Sequence, residues 1–125
     1  MNNIKVLIVD DEVDFASAMA ERLEIRGFVP ETAAYGLDGL ETVVTFSPDI
    51  VLLDLKMPDM SGVEVLEKIK AEFPAIEVIM LTGHGTGSSG TDCIDLGAFD
   101  YIMKPVDFSN LLEKIQAAYE KKMAA

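Results

Sequence analysis

The chain has no tryptophan, one cysteine, one histidine, and only 10 lysines and arginines against 22 aspartates and glutamates. Each shortage closes off a class of function. The lone Cys93 cannot form an internal disulfide, so the chain does not read as a small secreted scaffold. The only histidine, His84, leaves Cys93 no ready partners for a nucleophilic triad, and Cys93 reads as a small buried hydrophobe. A net charge of −12 provides no basic cluster to follow a phosphate backbone, which argues against direct nucleic-acid binding by this domain. The acidity favours solubility and is compatible with binding a cation or a basic partner. No apolar run approaches the length of a membrane span, and Met1 to Lys5 leads into a strand without a secretory hydrophobic region. A cytoplasmic location away from membranes is the resulting expectation.

What is present is organised around Asp49 to Gly62. Ile50 to Leu53 is a run of four apolar residues, two of them β-branched, which suits a strand buried on both faces of a parallel sheet. Asp54 stands where that run ends. Pro58, Asp59 and Gly62 supply turn chemistry, and Ser61 with Glu64 makes an S-x-x-E capping box that opens a helix. Ligands of open α/β sheets bind beyond the carboxyl ends of the strands, so Asp54 is placed for chemistry.

The rest of the chain repeats this unit. Val6 to Val9 is an equally apolar strand ending in Asp10-Asp11-Glu12. Phe15, Met19 and Leu23 fall at helical spacing, with Asp14 as the expected cap and Gly27 as the stop. Phe28 to Ala34 is a more polar strand, placed at an edge by Pro30. Gly36 to Phe46 carries Leu37, Leu40, Val43 and Val44 at helical spacing. Val63, Leu66, Ile69 and Phe73 line one face of the helix after the capping box, which Pro74 terminates. Ile76 to Leu81 is a buried strand followed by Thr82-Gly83. Thr91 to Leu96 holds about a turn and a half of helix. Ala98 to Met103 is a short strand before Lys104-Pro105, and Asp107 caps a last helix whose inner face is Leu111, Ile115, Ala118 and Tyr119. Five strands alternating with five helical segments, without a repeat or linker, predict one three-layer α/β domain over residues 1–125. Strands one, three and four are the most apolar and belong in the centre. That favours a flavodoxin-like (βα)5 doubly wound parallel sheet in the order 2-1-3-4-5, whose switch point lies between strands one and three.

In that arrangement Asp10, Asp11 and Asp54 converge. Two carboxylates at about 4 Å repel by roughly 1 kcal/mol in water and about 4 at an effective dielectric of 20. A hard cation relieves this: Mg²⁺ takes one or two carboxylates and leaves room for phosphate oxygens. An aspartate beside such an ion can attack phosphorus and become an acyl phosphate. Thr82 and Lys104, at the tips of the fourth and fifth strands, offer a hydroxyl and an ammonium to phosphoryl oxygens. Taken singly, each residue has a plainer reading: Asp10 and Asp11 as helix caps, Asp54 as a turn residue, Thr82 as a strand end, Tyr101 as a core aromatic, Lys104 as a solvated charge. Their joint placement at strand tips favours the shared site.

Ile8-Val-Asp-Asp-Glu12, Leu52-Leu-Asp-Leu-Lys-Met-Pro58, Leu81-Thr-Gly83 and Ala98-Phe-Asp-Tyr-Ile-Met-Lys-Pro105 together resemble the receiver domains of two-component response regulators, over essentially the whole chain. The resemblance implies a phosphorylation-dependent switch rather than an enzyme acting on other substrates. By the same matching, Asp54 accepts a phosphoryl group from a histidine kinase or phosphotransfer protein. Asp11 and Asp54 ligate Mg²⁺ or Mn²⁺ directly, Asp10 helps through water, and the Lys56 carbonyl is a further ligand. Lys104 and Thr82 contact the phosphoryl oxygens. Tyr101 matches the switch aromatic that follows Thr82. The peptide between Lys104 and Pro105 is implied to be cis, and the fourth helix, fifth strand and fifth helix to form the face that meets a downstream effector. A monomer or weak phosphorylation-dependent dimer follows from the same family.

Some features fall outside that pattern. Gly85-Thr-Gly-Ser-Ser-Gly90 fits G-x-G-x-x-G, but it begins past its strand in the fourth β-α unit of a chain too short for two nucleotide-binding halves. It also lacks the Gly-Lys-Ser/Thr of a P-loop. At roughly 1 kcal/mol each against alanine, its three glycines disfavour the start of the fourth helix by about 3 kcal/mol, which predicts a mobile loop over 84–90. His84 and Lys56 read either as tuners of dephosphorylation or as solvated bystanders. Two other functional classes compete: an inert module of the same fold, and an aspartate-nucleophile phosphatase, which would need an acid where Lys56 stands.

Overall fold

The computed structural model describes residues 3–83 and 92–124. Its elements run β1 (Lys5–Val9), α1 (Val13–Ile25), β2 (Val29–Ala33), α2 (Gly36–Phe46), β3 (Ile50–Asp54), α3 (Gly62–Glu72), β4 (Glu77–Thr82), a helical turn α4 (residues 92–95), β5 (Asp100–Met103) and α5 (Phe108–Ala124). The strands form one parallel sheet in the expected order, β2-β1-β3-β4-β5. The three most apolar strands are central and the proline-bearing β2 is an edge. The predicted loop over 84–90, with His84 and the glycine patch, lies outside the described residues.

Side chains alternate across the sheet and build two cores. Val6, Ile8, Leu52, Ile79 and Leu81 face α1 and α5, where Met19, Leu23, Leu111, Ile115 and Ala118 meet them. Leu7, Val9, Val51, Leu53, Val78 and Met80 face α2 and α3 through Val43, Val65, Leu66 and Ile69, with Cys93 also inside. Each fully buried Leu, Ile or Val contributes roughly 1.5–3 kcal/mol, so the central strands anchor the fold. Among the described residues no helix is long and apolar enough to cross a membrane.

Three local expectations change. Leu37 and Val44 are 61% and 62% exposed, whereas Val43 is buried and Leu40 packs partly on the core as expected, and Gly36 and Gly39 complete the buried stripe of α2. A Cβ on Gly39 would lie 2.9 Å from Val9 Cγ1, so the glycine lets α2 approach the sheet closely while Leu37 and Val44 turn outward. In α3, Val65 is buried and Val63 only partly so. Asp14 is not a cap: α1 begins one residue earlier, after Glu12, whose amide donates to Asp10 Oδ1 at 2.9 Å. The capping box at α3 forms in both directions, and Asp107 Oδ1 accepts from the Ser109 amide at the start of α5.

Candidate functional site

Parallel pairing of β1 and β3 sets Val9 opposite Leu53, so the next residues, Asp10 and Asp54, emerge side by side at the carboxyl end of the sheet. Both are buried, and carboxylate oxygens of Asp10, Asp11 and Asp54 all lie within 4.8 Å of one another. The expected convergence of the three aspartates is therefore present. The donor set suits a hard divalent cation: oxygen ligands only, with surplus negative charge.

Lys104 enters from the end of β5. Its amide donates to the Thr82 carbonyl at 2.8 Å, which ties the tips of β4 and β5 together. Its ammonium donates to Asp10 Oδ2 at 2.7 Å and to Glu12 Oε1 at 2.6 Å, and lies 3.8 Å from Asp54 Oδ1. The Phe15 ring sits beneath it, 4.6 Å from Nζ to the ring centre. Burial pulls the Lys104 ammonium down, but its bonds to Asp10 and Glu12 outweigh that and hold it above the usual lysine range. Glu12, hydrogen-bonded to the same ammonium, is held below the usual carboxylate range.

Asp54 is the perturbed acid. Its carboxyl is pushed up to about 6, first by burial and then by the charge of Asp10, with Lys104 opposing and Asp11 adding to the rise. Such a shift in a crevice marks a group whose charge the surroundings leave incompletely compensated.

Thr82 is buried at the tip of β4, paired with Met103. Tyr101 is half-buried on β5 opposite Met80 and packs on the core facing α3. Thr82 follows Met80 by two residues, so strand alternation puts Thr82 and Tyr101 on the same face of the sheet. Lys56 is exposed in the loop after Asp54. That loop closes tightly, since the Gly62 amide donates to the Leu55 carbonyl at 2.8 Å and a Cβ on Gly62 would run into the Asp54 carbonyl. The Lys104–Pro105 peptide is cis, as the resemblance implies.

Sequence reasoning named Glu12 only as a third acid and did not single out Phe15. The signal available for both was Lys104 itself, since a lysine drawn among strand-end acids needs counter-charges and a surface for its stem.

A family model described as "Response regulator receiver domain" matches residues 6–116. The chain is 36% identical over 123 residues to the transcriptional regulatory protein ZraR of Escherichia coli strain K12, covering 98% of this chain and 27% of that protein. It is 36% identical over 120 residues to the transcriptional regulatory protein KdpE of Mycobacterium tuberculosis, covering 96% of this chain and 53% of that one. The chain thus spans between about a quarter and a half of these relatives. A crystal structure of a response regulator receiver domain protein from Clostridium thermocellum superposes with a TM-score of 0.91 at 36% identity, covering 97% of this chain and 98% of that one. With its fold and most of its length matched in this way, the chain belongs to the response regulator receiver domain family of two-component systems.

Proposed function

We propose that residues 1–125 act as one receiver domain, and that Asp54 accepts a phosphoryl group from a histidine kinase or phosphotransfer protein. A carboxylate oxygen of Asp54 attacks phosphorus, the bond from phosphorus to the donor imidazole nitrogen breaks, and the imidazole leaves with that electron pair. The Lys104 ammonium exchanges Glu12 for the phosphoryl oxygens, and the Thr82 hydroxyl donates to another of them. Asp10, Asp11, Asp54 and the Lys56 carbonyl would hold Mg²⁺ or Mn²⁺, which supplies positive charge against the phosphoryl oxygens. The donor set supports that assignment, because carboxylate oxygens of Asp10, Asp11 and Asp54 lie within 4.8 Å of one another and Lys104 is an ion-pair partner of only Asp10 and Asp54 among them.

Thr82 and Tyr101 then carry the change to the face of α4, β5 and α5, where a downstream effector reads it by population shift. The reaction is the chain's own phosphorylation and dephosphorylation, in the cytoplasm, with no other substrate turned over. The observation that carries the reading is the buried Asp54 with its raised carboxyl at the centre of an acid cluster facing Lys104.

Incubation with Mg²⁺ and acetyl phosphate tests it. The expected product is an acid-stable, base-labile phosphoprotein whose labelling disappears in Asp54→Asn. Steady hydrolysis of an unrelated phosphomonoester such as p-nitrophenyl phosphate would indicate a phosphatase, and absence of labelling an inert module.

A further inference from the structure

Helix α2 lacks a cap of its own. Its N-cap residue is Tyr35, whose backbone is extended and whose side chain accepts no amide hydrogen bond. The missing acceptor comes from 23 residues away: Asp59 Oδ1 accepts from the Gly36 amide at 2.9 Å and Oδ2 from the Leu37 amide at 3.0 Å. Met60 lies directly over Gly36. Asp59 and Met60 belong to the loop between β3 and α3, five and six residues after Asp54. Hydrogen bonds fix that loop at its ends, where the Leu55 amide donates to the Leu81 carbonyl at 3.0 Å and the Gly62 amide to the Leu55 carbonyl. The Asp59 carboxylate is the attachment at its apex.

We propose that Asp59 is a positioning residue for the acidic site: by clamping the apex of the 55–61 loop to the first amides of α2, it fixes the backbone around Lys56 beside the crevice. The inference rests on the receiver reading, in which that backbone supplies a cation ligand. It assigns Asp59 a role beyond turn formation, and it makes the order of the start of α2 and occupation of the crevice thermodynamically linked. Partners that orient a metal ligand from behind typically alter affinity by 10–100-fold when lost. The Asp59 carboxylate stands in that relation to the loop.

The test separates the clamp from simple helix capping. Mg²⁺ is titrated into wild-type protein, Asp59→Ala, and the double variant Tyr35→Asp with Asp59→Ala, with binding followed by amide NMR shifts and melting temperature measured alongside. An aspartate at position 35 restores a local cap to α2 without reconnecting the loop. The expected result is a Mg²⁺ midpoint about tenfold weaker in Asp59→Ala. Tyr35→Asp should recover melting temperature in the double variant while the midpoint stays weak. A midpoint unchanged in Asp59→Ala, or one that returns with the local cap, overturns the clamp while leaving the receiver reading intact. Wild-type protein that takes up no Mg²⁺ overturns both.

Discussion

At the carboxyl end of the sheet one lysine faces Asp10, Glu12 and Asp54, with Asp11 close by. At the amino end three lysines face two acids: Lys70 and Lys121 lie 3.9 and 3.6 Å from Glu77, and Lys122 lies 3.0 Å from Asp49. Asp49 also accepts from the Lys5 amide at 2.9 Å. The two ends use the same residue types in a similar degree of burial, so burial alone does not distinguish a site from a support. The balance does. Where bases match or outnumber acids, the charges close the sheet and hold α5 against it. Where acids outnumber the base, the end of the sheet is poised to take up positive charge from outside, and a carboxyl is pushed out of its ordinary range.

The comparison breaks most visibly if one amino-end charge is removed. Glu77 is buried, and its Oε1 has no hydrogen-bond partner closer than the two ammoniums. Lys70 is half-sequestered beside it, with its ammonium donating to the carbonyls of Pro74 and Ile76 at 2.9 and 2.8 Å and pulled below the usual lysine range by burial. Glu77→Gln leaves that cation without a counter-charge, and a loss of about 1–3 kcal/mol in urea denaturation is expected. Glu77 and Thr82 sit at opposite ends of β4, about 17 Å apart at strand rise. Acetyl phosphate labelling per folded molecule should therefore be unchanged. A fall in labelling would mean that the two ends are coupled.

Much of this division was legible in the chain. The apolar runs of β1, β3 and β4 foretell central strands, and the acids that follow β1 and β3 foretell the crevice, because both signals are local and periodic. The capping box Ser61–Glu64 is legible for the same reason. The clamp of Asp59 on α2 and the hold of Glu12 on Lys104 were not, since their partners stand 23 and 92 residues away and only the topology brings them together. The outward turn of Leu37 and Val44 was hidden because glycine carries no hydrophobic signal, although Gly39 is what lets α2 approach Val9.

The surplus of acid can be sharpened by pH. In the folded protein the Asp54 carboxyl is pushed up to about 6 from an ordinary 3.8, chiefly by burial and by Asp10. The native state therefore keeps a proton that the unfolded chain releases, and this group costs no stability below its ordinary value, an increasing amount through the window, and its full amount above about 6. A shift of this size corresponds to about 3 kcal/mol in a sealed site, and solvent access at the mouth of the crevice reduces it to about 1–2. In EDTA, Asp54→Asn should be more stable than wild type by about 1–2 kcal/mol at pH 8, with the advantage vanishing near pH 4. An advantage that stays constant across this range would show that size or packing, not charge, sets the difference.

The smallest expected effect is at Lys122. Its ammonium donates to Asp49 Oδ1 at 3.0 Å, and both side chains are 22% exposed. Asp49 keeps the Lys5 amide as a donor when the lysine is lost, so no buried acceptor is abandoned. Lys122 also lies in the last turns of α5, where a cation favours the helix dipole by a few tenths of a kcal/mol. Lys122→Ala should therefore cost about 0.5–1 kcal/mol at low salt, less at 1 M salt, and leave labelling unaffected. At the carboxyl end the analogous truncation, Lys104→Ala, removes the one cation that, among the described residues, faces three acids, and cannot be so mild. Equal stability changes for the two lysines, measured side by side, would remove the distinction between a balanced and an unbalanced end of the sheet.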